Sequence, residues 1–205
     1  MVGYGLRLNE TYPHLVSFFR KGFYQLISGH TGTGYQTIYA SQFINEWSDL
    51  ALVGVICAMA LGGAACSTTG AIKMVRLGII FKALLQDIKR IIQPERALVV
   101  EKFHHIREVF LEDKLVRPAL IITLAYLILY WAGSIIGMLC GYPFLSSLFE
   151  STSAAANVGL SCGITQISMP VVLKITYIVQ MWAGRLEFMS VLTLFGFITA
   201  AFKGK

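Results

Sequence analysis

The sequence predicts an all-α membrane protein built from repeated units, each a membrane helix, a short re-entrant helix with its returning loop, and a second membrane helix. Three observations predict it. Of the 205 residues, 56% are hydrophobic and 14% charged, against roughly 25% charged in a soluble domain. Residues 118–139 carry no charge and are long enough as a helix to cross a hydrocarbon core of about 30 Å. Finally, a short amphipathic run, a glycine-containing loop and an apolar stretch follow one another twice along the chain.

Taken in order, Met1–His14 is too short and polar to cross a membrane and lacks the pattern of a signal peptide. Ser17–Ser28 is the first short run, Gly29–Tyr35 its loop, and Trp47–Cys66 the apolar stretch that follows. Ten of the 17 Lys and Arg residues lie between Lys73 and Arg117, and none lies between Gly22 and Ile72. The excess of positive charge places residues 73–117 in the cytoplasm. From about Val75 to Leu115 this connection is expected to be mostly helical, with Ile79, Ile80, Leu84 and Ile88 on an apolar face. The span at 118–139 then returns outward, Pro143–Ala154 is the second short run, and Ala155–Ser161 its loop. A last helix, Val171–Phe202, descends to Lys203 and Lys205, interrupted by Lys174, Arg185 and Glu187.

Short runs of about 12 residues make helices of roughly 18 Å, too short to cross, so they enter and return on one side. Non-helical backbone at membrane depth is tolerated where it is buried in protein or lines a water-filled path. A cation sheds its water only where oxygens replace it, and backbone carbonyls can do so if the chain turns without a Cβ clash. Gly34 and Gly159 stand at matching places for that role. Gly62 and Gly63 weaken the first inner helix by roughly 1 kcal/mol each relative to alanine, and Ser67, Thr68 and Thr69 can satisfy the backbone groups so freed. Arg185 and Glu187 are two residues apart, on different helix faces, and must find partners elsewhere or a cavity.

Other classes fit poorly. Cys57, Cys66, Cys140 and Cys162 have no paired metal-ligand spacing, and adjacent His104 and His105 point about 100° apart on a helix. The net charge of +6 is read as a topological signal, not as a nucleic-acid surface. A membrane enzyme using Arg185, Glu187 and Cys66 would lack a nucleophile with its base.

Phe18–Tyr35 resembles the third pore segment of the Trk and Ktr potassium transporter family, and Ser147–Ser161 resembles its fourth. Gly62–Lys73 is similar to the family's intramembrane gating loop, and Gly184-Arg-Leu-Glu187 to a signature of its fourth inner helix. Cys66, Thr69 and Ala71 stand where the family usually has glycine, a departure that bears on how easily the loop moves. The resemblance implies a non-enzymatic protein of the cell membrane that takes up potassium through one central pore ringed by four units. Residues 1–72 would form part of the third unit, 73–117 a cytoplasmic helical connection, and 118–205 the fourth unit.

By resemblance, the ion faces carbonyls of Gly32, Thr33 and Gly34 in one filter loop and of Asn157, Val158 and Gly159 in the other. The gate comprises Gly62, Gly63, Ser67, Thr68 and Gly70 with Arg185. The potassium ion is the transported ligand, with no covalent cofactor and no other metal. The expected partners are the membrane, a second full-length copy in a homodimer, and a cytoplasmic nucleotide-binding regulatory ring, with no nucleic acid. Two alternatives stay open: a potassium-translocating subunit of an ATP-driven pump, and a sodium-permeable relative of the same family. Two filter segments of the family's four suggest a truncated frame, a split gene or a partial chain.

Overall fold

The computed structural model describes residues 1–8, 14–64, 67, 69–92, 102–105, 107–110, 113–186 and 188–203. Helix α1 (Val2–Leu8) lies on the later helix α5, where Gly5 faces Ser48 and Ala51. The first short run is one rod of three parts: α2 (Leu15–Ser17), a π-helical stretch (Phe18–Phe23) and α3 (Tyr24–Thr31). Gly22 sits in the widened turn, where a Cβ would meet Leu6. A loop leads to α4 (Ala40–Asn45), whose entry is closed by the Tyr39 amide donating to Gln42 Oε1 at 2.9 Å. Helix α5 (Asp49–Ala60) starts on a serine cap, Ser48 Oγ accepting from the Ala51 amide, with Asp49 facing the positive helix end.

At Leu61 the first inner helix stops. The twelve residues of α5 reach roughly 18 Å, so the apolar stretch from Trp47 is not one spanning helix but a helix, a non-helical segment, and then α6 (Met74–Ile92). The connection is not wholly helical either. Strands β1 (Lys102–His105) and β2 (Arg107–Phe110) pair antiparallel, Phe103 opposite Val109 and His104 opposite Glu108, in a run whose aromatic and β-branched residues suit a strand.

Helix α7 (Asp113–Leu139) is the span expected at 118–139, extended at its start; among the described helices it alone is long and apolar enough to cross a membrane unaided. It packs closely on α8 (Phe144–Ala155), the second short run. Small residues permit the approach: Gly137 meets Ser147, and Gly133 meets Ser151 and Gln180. Ser151 Oγ donates to the Tyr130 carbonyl at 2.8 Å, and Gln180 Nε2 to the Leu129 carbonyl at 2.7 Å. Those bonds tie α7 and α8 to α9 (Val171–Arg185).

The last helix also departs from expectation, because α9 ends at Arg185 and α10 (Met189–Phe202) starts anew. Phe188 turns the chain at φ +33° and packs edge-on against Tyr126, ring centres 4.8 Å apart. Burial of that ring offsets the unfavourable backbone. The core lies between α5, α8, α9 and the loop after α8, with the Phe43 ring in contact with both Trp47 and Phe149 at its centre.

Polarity is reversed relative to a soluble protein. Gln25, Glu150, Ser151, Thr152 and Gln180 are buried, whereas Leu124, Ile128, Trp131, Val172 and Ile178 are exposed. An apolar surface so broad belongs against lipid or further protein.

Candidate functional site

Both short helices end in the same backbone pattern, one 125 residues after the other. In the first loop, Gly32 and Gly34 are left-handed at φ +70° and +76°. The Thr33 amide donates to the Ser28 carbonyl at 3.1 Å, and Ser28 Oγ donates to the Tyr35 carbonyl at 2.8 Å. In the second, Asn157 and Gly159 are left-handed at φ +55° and +92°. The Val158 amide donates to the Ser153 carbonyl at 2.9 Å, and Ser153 Oγ accepts from the Gly159 amide at 3.2 Å. The serines, the left-handed residues and the bonded amides all match at that spacing. Gln36 Nε2 even donates to the carbonyl of its counterpart Ser161, 125 residues on, at 2.7 Å.

The loops lie side by side. A Cβ on Gly34 would collide with the Val158 carbonyl oxygen, and Gly159 Cα is close by. All six residues singled out in the sequence, Gly32, Thr33, Gly34, Asn157, Val158 and Gly159, are therefore in one neighbourhood. Among the described residues, none of their six carbonyls accepts a hydrogen bond. Val158 is buried, Gly32, Gly34 and Asn157 are half-buried, and Thr33 and Gly159 are exposed, so the six uncommitted carbonyls form a set of oxygens available to water or to a ligand. A cavity of about 410 Å³ opens beside the second loop, lined by Glu150, Asn157–Ser161, Thr165 and, from α9, Lys174 and Tyr177. Lys174 Nζ is held by the Ile167 carbonyl at 2.7 Å.

The non-helical segment after α5 runs across the ends of both short helices. The Gly63 amide donates to the His30 carbonyl at 3.1 Å, and Thr69 Oγ1 to the Thr31 carbonyl at 3.2 Å. At the other end, the Gly70 amide donates to the Ala156 carbonyl at 3.0 Å. Close approach requires glycine here: a Cβ on Gly62 would press on the His30 carbonyl, and one on Gly70 on Asn157 and the Gly184 carbonyl. Ser67 Oγ accepts from the Thr69 amide at 3.2 Å and pairs with Thr69 Oγ1 at 2.8 Å. Gly62, Gly63, Ser67 and Gly70 thus lie together. Thr68, Cys66 and Glu187 lie outside the described residues. Arg185 is the last residue of α9, exposed, beside the Gly184 that abuts Gly70 and whose carbonyl accepts from Tyr126 Oη at 2.9 Å.

Sequence reasoning passed over Glu150. It is buried in α8 and bound to the segment leaving the second loop. The signal was present, since no other Asp or Glu occurs between Asp113 and Glu187, and Glu150 and Gln25 each stand nine residues before a loop glycine.

Comparison with known proteins agrees with this architecture. Residues 13–201 match the family described as TrkH, cation transport protein. An uncharacterized cation transporter of Methanocaldococcus jannaschii is 36% identical over 172 residues, 84% of this chain and 35% of that protein. The Trk system potassium uptake protein TrkH of Escherichia coli is 24% identical over 193 residues, 93% of this chain and 38% of that protein. The crystal structure of the potassium transporter TrkH from Vibrio parahaemolyticus superposes with a TM-score of 0.74 at 21% identity, covering 94% of this chain and 40% of that one. The chain thus spans well under half the length of these proteins. With a match over nearly its whole length, the chain belongs to the TrkH family of cation transport proteins, all-α membrane transporters and not enzymes.

Proposed function

We propose that the chain contributes two of the filter loops of a potassium uptake pore, with the segment at 62–70 as the gate beneath them. The observation that carries this reading is the set of six uncommitted carbonyls on two matching, adjacent loops. Potassium is held by replacing its hydration shell with such oxygens, and two loops supply only part of a closed ring. The remainder comes from further pore units, as in the four-unit arrangement that the resemblance implies. In this reading the pore lies in the cell membrane, residues 73–117 face the cytoplasm, and the complete transporter is a homodimer on a nucleotide-binding regulatory ring. The gate obstructs the path because its contacts, Gly63 to His30, Thr69 to Thr31 and Gly70 to Ala156, hold it across both helix ends.

The test is uptake of potassium into vesicles containing the complete transporter, with sodium as competitor. Potassium accumulation that excess sodium does not displace is the expected result. Equal displacement by sodium would favour the sodium-permeable alternative and remove the selective-filter reading.

A further inference from the structure

We infer that Glu150 is the positioning residue of the second filter loop, clamping the extended segment that leaves Gly159 and through it the direction of the Asn157–Gly159 carbonyls. The inference rests on the filter reading above. Glu150 is 3% exposed, on α8, nine residues before Gly159. Its Oε1 accepts from Ser161 Oγ at 2.5 Å, from the Cys162 amide at 2.9 Å and from the Ile164 amide at 3.3 Å. Its Oε2 accepts from Thr165 Oγ1 at 2.8 Å. With the Cys162 thiol, which donates to Oε1 at 3.7 Å, one carboxylate therefore gathers five donors from residues 161–165, and two of them are backbone amides whose burial demands an acceptor.

The matching position in the first unit is the amide Gln25, which makes a single bond, Nε2 to Thr37 Oγ1 at 2.9 Å. The first loop leans on the second instead, since Gln36 Nε2 donates to the Ser161 carbonyl at 2.7 Å. Ser161 is thus held from one side by Glu150 and holds the first loop from the other. A carboxylate suits this place for a chemical reason. It offers only acceptors and carries the charge, whereas glutamine would accept from Ser161 and the two amides with a neutral oxygen only and would have to reverse the bond with Thr165, its NH₂ donating to that hydroxyl.

The test uses the complete transporter in vesicles, measuring potassium uptake, its KM, its maximal rate and its displacement by sodium. Glu150→Gln is expected to reduce the preference for potassium over sodium roughly tenfold, the size of the difference between a bond to a charged acceptor and one to a neutral acceptor. Maximal rate and abundance in the membrane are expected to change far less. The double variant S161A/T165V keeps the carboxylate and removes two donors, and should shift the preference in the same direction by a smaller factor. If Glu150→Gln fails to reach the membrane, the double variant decides. Unaltered preference in whichever variants reach the membrane overturns the inference while leaving the filter reading intact. A wild-type protein that does not prefer potassium overturns both.

Discussion

At residue scale, the two loop glycines are equivalent in the pattern and unequal in their surroundings. Gly34 is left-handed and faces the Val158 carbonyl, a backbone atom that cannot yield without moving the second loop. Gly159 is also left-handed, but nothing lies within 4 Å of where its Cβ would be. Gly159→Ala therefore costs backbone strain alone, roughly 1–2 kcal/mol, whereas Gly34→Ala adds displacement of a neighbouring loop. Both should lower potassium-over-sodium preference more than membrane abundance, and Gly34→Ala by the larger factor. Competitive uptake measured on the two variants side by side checks the ranking; an equal or reversed order would mean that the loops do not touch as described. The pairing of Gly34 with Gly159 was legible because glycine at a fixed distance after a short helix leaves a mark in sequence. Their inequality was not, since it depends on which part of the second loop lies against the first, a contact between Gly34 and Val158, far apart in the chain. Glu150 was marked by its isolation and spacing, but its role was not, because its donors come from a segment whose return toward α8 no local pattern announces.

At the scale of elements, the segment between α5 and α6 has its bonds shared between two helix ends. Among its described side chains Thr69 contributes most, with Oγ1 on the Thr31 carbonyl and paired with Ser67. Each neutral hydrogen bond contributes about 0.5–1.5 kcal/mol net, so Thr69→Val should favour the displaced segment by roughly two- to tenfold. Basal potassium flux without nucleotide should rise by that factor. Arg185→Gln, at the end of α9 beside Gly184, is expected to act in the same direction. If both variants are present in the membrane with flux at the wild-type closed level, the segment is a structural kink and not a gate. The break itself was readable from Gly62 and Gly63. The second break was not: Arg185 and Glu187 looked like charges within one helix, whereas Phe188 turns the chain by packing on Tyr126, a partner more than sixty residues away. The hairpin at 102–110 was missed because charge marked the connection as a whole and concealed its conformation.

At the scale of the whole molecule, apolar residues outside and polar residues inside follow from a composition with few charges to place, so membrane class and element order were open to reading. What covers each apolar face was not, and α6 is the case with most consequence. It begins at Met74, directly after the buried Ala71, Ile72 and Lys73 that end the non-helical segment. One face packs on α7, while Phe81, Leu84, Ile88 and Ile91 stay exposed, three or four residues apart and so in one stripe. Lys82, Lys89 and Arg90 share the helix, giving it the mixed character of a protein contact. If the regulatory ring docks on this stripe, a small rotation of α6 pulls on Gly70 and Thr69 through continuous chain, without any separate relay. The double variant L84E/I88E should then abolish the nucleotide-driven rise in flux and leave basal flux unchanged. Uptake with and without nucleotide, together with co-purification of the ring, measures both parts. Retained nucleotide response with an intact complex would place the contact elsewhere. Loss of the protein from the membrane would instead show that the stripe is seated in lipid, and would break the proposed link between ring and gate.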